Sequence, residues 1–311
     1  MIIDFHTQVW LSPEQLGPDM ADGLRRAQAA RWDQYDASTA AHEEAMGCVD
    51  GSAVLGFRSS RLGAHIPNEF IAAFVNQRPH RRIGIAGIDP LDEDADQQFD
   101  TALALGLSGV TVSPACQGFH PAHSAAMRLY ERCADAGLPV VATLDGPFTA
   151  AVEMEFARPG HWDEVARAFP SLRLVMGQLG HPWIDETLFL LGKHEHVYAD
   201  LADVSTRPWQ LYQSLLNAVS FGVIDKLIFG SGFPRTTPAK AIETLYSVNK
   251  FSQGTQLPVV PRAQIRGIIE RDCVACLGLD GVLEPTDHTR DPESDLEIEF
   301  AQWSDAHLNV R

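Results

Sequence analysis

Residues 172–201 read LRLVMGQLGHPWIDETLFLLGKHEHVYADL, and their reading decides the fold. Leu172–Gln178 is a nearly continuous apolar run, as is Val197–Leu201. Such runs suit parallel strands covered on both faces, whereas a half-exposed strand would alternate. Between them Trp183–Lys193 carries apolar residues at helical spacing. A strand, a helix and a second strand of the same character make one β/α unit of a parallel sheet.

The same alternation runs through most of the chain. Further candidate strands are Met1–His6, Ser52–Phe57, Ile83–Ile88, Gly109–Ser113, Val140–Leu144 and Lys226–Phe229. Helical patterns fill the intervals at Glu69–Gln77, Asp94–Leu105, Ser124–Ala136, Trp162–Phe169, Pro208–Ser220 and Pro238–Val248. Eight such units give an α/β fold, a closed (β/α)8 TIM barrel, over an open doubly wound sheet. No G-x-G-x-x-G follows a strand, which leaves a dinucleotide fold little support. The barrel is expected over residues 1–283, with a helical insertion at about 13–46 after the first strand. That insertion either lids the mouth or packs outside. An acidic C-terminal extension, 284–311, follows and contains Trp303.

The net charge of -17 leaves no basic stripe for nucleic acid and disfavours anionic membrane surfaces. No apolar run approaches the roughly 20 residues of a membrane span. Met1-Ile2-Ile3-Asp4 lacks the basic start of a signal peptide, and five cysteines do not suggest a disulfide framework. A reducing cytoplasm is the expectation. A small-molecule ligand and a homo-oligomer are the expected partners.

Chemistry in such barrels sits at the C-terminal strand ends. In chain order these ends offer His6 and Gln8, Ser113, Thr143 and Asp145, Gln178 and His181, Asp203 and Arg207, then Ser231 and Gly232. The segments IDFHTQVW, GLSGVTVSPACQGF, FPSLRLVMGQLGHPWIDETL, VYADLADVSTRPWQLY and DKLIFGSGFPRTTP follow one another in order. Together they resemble the amidohydrolase-related branch of the amidohydrolase superfamily, which includes aminocarboxymuconate-semialdehyde decarboxylase. The resemblance implies a TIM barrel and hydrolysis or decarboxylation of small carboxylate-bearing, often ring-derived compounds.

It also implies a divalent metal held by two His after the first strand, one after the fifth, one after the sixth and an Asp after the eighth. Only His6 matches. The other positions fall on Gln8, Thr143, Gln178 and Gly232, and a further family His falls on Ser113. Transition metals prefer imidazole and thiolate to neutral amide and hydroxyl oxygen. Neither zinc nor another divalent metal is therefore expected, and no other cofactor is.

Each site residue has a bland reading beside the sharp one. His6 is a remnant ligand, a general base, or a hydrogen-bonded strand-end histidine, with no partner for its second ring nitrogen visible in the sequence. Asp4, two residues earlier on the same strand face, either orients His6 or satisfies barrel polar groups. His181 contacts substrate or caps the sixth helix against Trp183. Asp145 lines the mouth or belongs to the Asp145-Gly146-Pro147 turn. Arg207 binds a carboxylate, or pairs with Asp200 or Asp203 while Trp209 is buried. Trp10, Phe119 and His120 are candidate pocket-lining residues. His120 and His123 form an H-x-x-H on a loop, and Cys273 with Cys276 reads as a packed helix.

The leading expectation is a barrel inactive in the family's metal-dependent reaction, acting as a small-molecule binder or supporting subunit. The alternative is a metal-independent hydrolase or lyase, with His6 or His181 as acid or base.

Overall fold

The computed structural model describes residues 1–31, 35–143 and 149–283. Strands β1 (Ile3–Thr7) and β2 (Gly51–Leu55) are followed by a short hairpin, β3 (Arg58–Ser59) and β4 (Ala64–His65). Then come β5 (Arg82–Gly87), β6 (Val110–Val112), β7 (Val140–Ala142), β8 (Leu174–Met176), β9 (Val197–Asp200) and β10 (Leu227–Ile228). The main sheet has the order β1-β2-β5-β6-β7-β8-β9-β10, with every pairing parallel. Phe5 N donates to Phe229 O at 2.9 Å and Gly232 N to His6 O at 3.0 Å, which closes the ring between β10 and β1. The protein is a (β/α)8 TIM barrel.

The strand residues divide into two sets, as the two-residue period requires. One set, including Ile3, Phe5, Leu55, Ile85, Val141 and Val175, forms the interior cluster. Leu283 and the short helix Cys273–Cys276 belong to that cluster, beside the starts of β1 and β2. The Cys273 thiol is 2% exposed and packs as a small apolar group, as the sequence suggests. The other set, including Val54, Val110, Leu174 and Leu227, packs outward on helical residues such as Phe70, Leu129, Leu188 and Leu215.

The insertion is helical over Pro18–Arg31 and Thr39–Ala45. Leu16, Met20 and Leu24 join the same outer cluster as Phe70 and Phe233, so the insertion packs into the outer layer. Trp10 and Phe119 also lie in that buried cluster, at 7% and 2% exposure. The extension 284–311, with Trp303, lies outside the described residues. Among the described residues no helix is long and apolar enough to cross a membrane.

Candidate functional site

Strand β1 reaches the mouth with an irregular step. Asp4 stands opposite Ser52 and Thr7 opposite Val54, so β1 advances three residues while β2 advances two. A bulge of this kind re-aims the side chains around it. Asp4 Oδ1 accepts from His6 N at 3.2 Å and from Ser231 N at 2.8 Å, tying the bulge to the loop after β10. Its other oxygen, Oδ2, is buried without a hydrogen-bond partner among the described residues. Burial pushes the Asp4 carboxyl up to about 6, against the lowering effect of its Ser231 and His6 hydrogen bonds. Asp4 therefore holds the backbone N–H groups of His6 and Ser231 and not the His6 ring, the second of its two readings.

The ring is held by a residue 194 positions away. His6 Nδ1 donates to Asp200 Oδ2 at 2.8 Å, and the two side chains are 1% and 0% exposed. Asp200 Oδ1 accepts from Gln178 N at 3.0 Å and Ala202 N at 2.9 Å. Both carboxylate oxygens are thus committed, and the carboxylate fixes His6 as the tautomer with its proton on Nδ1. Nε2 is then the acceptor nitrogen of the ring. The expectation that His6 lacked a visible partner is corrected by Asp200, the acid that ends the apolar run Val197-Tyr198-Ala199.

Gln178 reaches Asp200 through an unusual turn. Gln178 and Leu179 adopt φ of 52° and 53°, left-handed values that each cost a non-glycine residue on the order of 1 kcal/mol. This turn ends β8 at Met176, two residues before the sequence suggests. Gly177 precedes it, and a Cβ there would lie 2.9 Å from Ala142 O and 3.4 Å from both His6 Cε1 and Thr143 Cα. The glycine lets the strand ends of β1, β7 and β8 approach. Gln8, Thr143 and Gln178 are 5%, 5% and 4% exposed, and Gln8 N donates to Phe233 O at 3.0 Å. The structure thus brings the His6 ring and the Gln178 backbone to one acid, Asp200, with Thr143 beside Gly177.

Other candidates sit further out or serve the scaffold. Ser113 Oγ donates to Thr143 O at 2.9 Å, joining the ends of β6 and β7. His181 is half-buried; burial first, then the Arg207 charge, lowers its basicity. It does not cap the helix Ile184–Lys193, whose N-cap is Trp183. Arg207 is exposed and forms no ion pair among the described residues; its Nη1 reaches only the backbone oxygen of Asp203, at 3.4 Å. Asp200 is taken by His6, and Asp203 by Arg235 at 2.8 Å. Trp209 is 49% exposed, contrary to its expected burial. Asp145 lies outside the described residues.

The loop histidines are locally engaged. His120 Nδ1 accepts from Ala122 N at 3.1 Å, and His123 Nδ1 from Ala125 N at 3.3 Å, where it caps the following helix. Among the described residues no group of three or more His, Cys, Asp or Glu is placed to hold a metal ion. Sequence reasoning missed a further buried histidine, His42, whose Nε2 meets Thr7 Oγ1 at 3.0 Å. Burial, and then the Arg82 charge, push it down to about 3. It lies in the outer layer between Phe74 and Phe233.

Residues 3–264 match the family model described as amidohydrolase. No curated protein sequence matches. An uncharacterised TIM-barrel protein of Bordetella bronchiseptica is 19% identical over 89% of this chain and 99% of its own, with a TM-score of 0.68. A Burkholderia multivorans amidohydrolase whose structure contains zinc is 13% identical over 89% and 99%, with a TM-score of 0.65. The 2,6-dihydroxybenzoate decarboxylase of Rhizobium is 13% identical over 90% and 99%, with a TM-score of 0.60. At these identities the likeness is one of fold.

Proposed function

The chain belongs to the amidohydrolase family, and from that premise we propose that it binds a small polar molecule at the barrel mouth without running the family's metal-dependent reaction. The observation that carries this is the donor set at the strand ends. His6 is the one imidazole among the positions where the resemblance expects ligands, and its buried neighbours Gln8, Thr143 and Gln178 offer neutral amide and hydroxyl groups. Such groups suit hydrogen bonds to a ligand and hold zinc or manganese poorly. His6 Nε2, oriented by Asp200 through Nδ1, has the form of a metal-ligating imidazole, but among the described residues no group of three or more His, Cys, Asp or Glu is placed to hold a metal with it. The donor set does not fit the metal.

The reading is tested by screening small mono- and dicarboxylic acids for thermal stabilisation of the whole protein. Binding that survives exhaustive chelation and weakens in Gln178→Ala supports it. Binding that needs added zinc or manganese contradicts it.

A second reading is favoured by the His6–Asp200 pair itself. A carboxylate fixed on Nδ1 makes Nε2 a base for proton transfer and stabilises the imidazolium that forms. A metal-independent hydrolase or lyase acting on a small carboxylate-bearing, ring-derived molecule would use it so. Turnover that persists in chelator and is lost in His6→Gln is the expected signature.

A further inference from the structure

The end of the eighth barrel strand and the loop after the seventh compete for one volume. Gly232 has φ of +81°, and a Cβ built on it would lie 2.7 Å from Asp203 Oδ1, 3.0 Å from Asp203 N and 3.4 Å from Ala202 Cβ. Real Cβ contacts under about 3 Å are essentially never seen in packed protein, so a side chain at 232 would force the Arg235-paired Asp203 carboxylate to shift. Asp203 reaches this point because its own backbone is left-handed, with φ of 60°, a conformation aspartate adopts more readily than most residues. Its Oδ2 pairs with Arg235 Nη2 at 2.8 Å, and Arg235 N donates to Gly232 O at 3.0 Å. The clamp therefore comes from the same loop that carries the glycine. Asp203 Oδ1 is buried and has no hydrogen-bond partner among the described residues.

We propose that Asp203 is the specificity-determining residue that closes the eighth-strand position to a metal ligand. Its carboxylate, delivered from the loop after β9 and clamped by Arg235, stands where a side chain at 232 would begin. Glycine at 232 and aspartate at 203 are then one coupled exchange. Neither can revert alone, because a new side chain at 232 must evict Oδ1, and moving Oδ1 breaks the Arg235 pair. The inference deepens the metal-free reading of the site and rests on it.

The test uses the full chain and zinc as the probe. Gly232→Ala is expected to lower Tm markedly when Asp203 is present. In the Asp203→Gly background most of that loss should vanish, leaving the part due to the positive φ at 232. An equal loss in both backgrounds overturns the proposal. If Gly232→Ala does not fold, the double variant must fold wherever Asp203→Gly alone does, and its failure also overturns it. The second arm compares Gly232→Asp with Asp203→Gly/Gly232→Asp by zinc titration. The double variant should bind zinc at least about tenfold more tightly, since only it has room for a carboxylate at 232. No gain, or equal binding with Asp203 in place, contradicts the proposal. Zinc bound stoichiometrically by the unmodified protein would instead sink the metal-free reading, so the two failures are distinguishable.

Discussion

The two ends of the barrel interior are built on opposite principles. The interior residues Ile3, Phe5, Leu55, Ile85 and Val175 share an apolar cluster with the segment Cys273–Leu283, which reaches the starts of strands β1 and β2. Where the strands end, the buried side chains are polar: Asp4, His6, Gln8, Thr143, Gln178, Asp200 and Ser231. Burying apolar surface stabilises the fold, whereas burying polar groups costs free energy unless each finds a partner. The mouth does not meet that condition fully, since Asp4 Oδ2, Gln8 Nε2 and Asp203 Oδ1 have no partner among the described residues. It also holds Gln178, Leu179 and Asp203 at positive φ. The contrast sets an apolar cluster against a strained polar site.

The sharpest way to break this comparison is at the apolar cluster. Phe5 is fully buried, and Phe5→Ala should cost about 3–5 kcal/mol in urea unfolding. A loss below about 1 kcal/mol would mean that this cluster is not where the stability lies. At the mouth, Asp200→Ala removes the acceptor of the His6 ring and of two backbone N–H groups, and should cost about 3 kcal/mol. It should also release His6 from the Nδ1–H tautomer, which nitrogen NMR would report; an unchanged tautomer contradicts the assignment of Asp200 as its orienting group.

A pH series sharpens the comparison further. The Asp4 carboxyl is raised from 3.8 to about 6 in the folded protein. Between those values the folded state holds a proton that the unfolded state has released, so the Asp4 contribution is full below about pH 4 and fades as pH rises through about 6. The difference in stability between the unmodified protein and Asp4→Asn should therefore drift by about 2 kcal/mol over that window, against the unmodified protein as pH rises. A flat difference would show that Asp4 does not titrate there.

Gln178→Gly relieves a left-handed backbone and should leave the protein unchanged or about 1 kcal/mol more stable, while weakening ligand binding. A large destabilisation would show that the Gln178 side chain is structural. Arg207→Ala should shift stability by less than about 0.5 kcal/mol, because the side chain is exposed and forms no ion pair among the described residues.

The apolar end of this comparison is legible in the sequence and the polar end only partly. Continuous runs such as Leu172–Met176 and Val197–Leu201 announce buried parallel strands because burial on both faces leaves no other composition. The mouth positions of His6, Gln8, Thr143 and Gln178 follow from those runs by simple placement at strand ends. Their wiring does not. The His6–Asp200 bond spans 194 residues, and nothing local to either residue encodes it. Alternation leaves two readings of Asp4 open, and the structure selects between them: Asp4 holds the His6 backbone and leaves the ring to Asp200. Gly232 reads in the sequence as a missing carboxylate; only packing explains why it must be glycine. The short hairpin Arg58–Ser59 with Ala64–His65 has no periodicity long enough to read.

The central claim, a family barrel whose mouth works without a metal, is met most directly by metal content. Untagged protein, purified without added metal and then dialysed against zinc or manganese, is analysed by mass spectrometry for bound metal per chain. Zinc, manganese and iron should be clearly substoichiometric both before and after loading, with His6→Gln indistinguishable from the unmodified protein. One full equivalent of any of these metals, retained through dialysis and lost in His6→Gln, would contradict it.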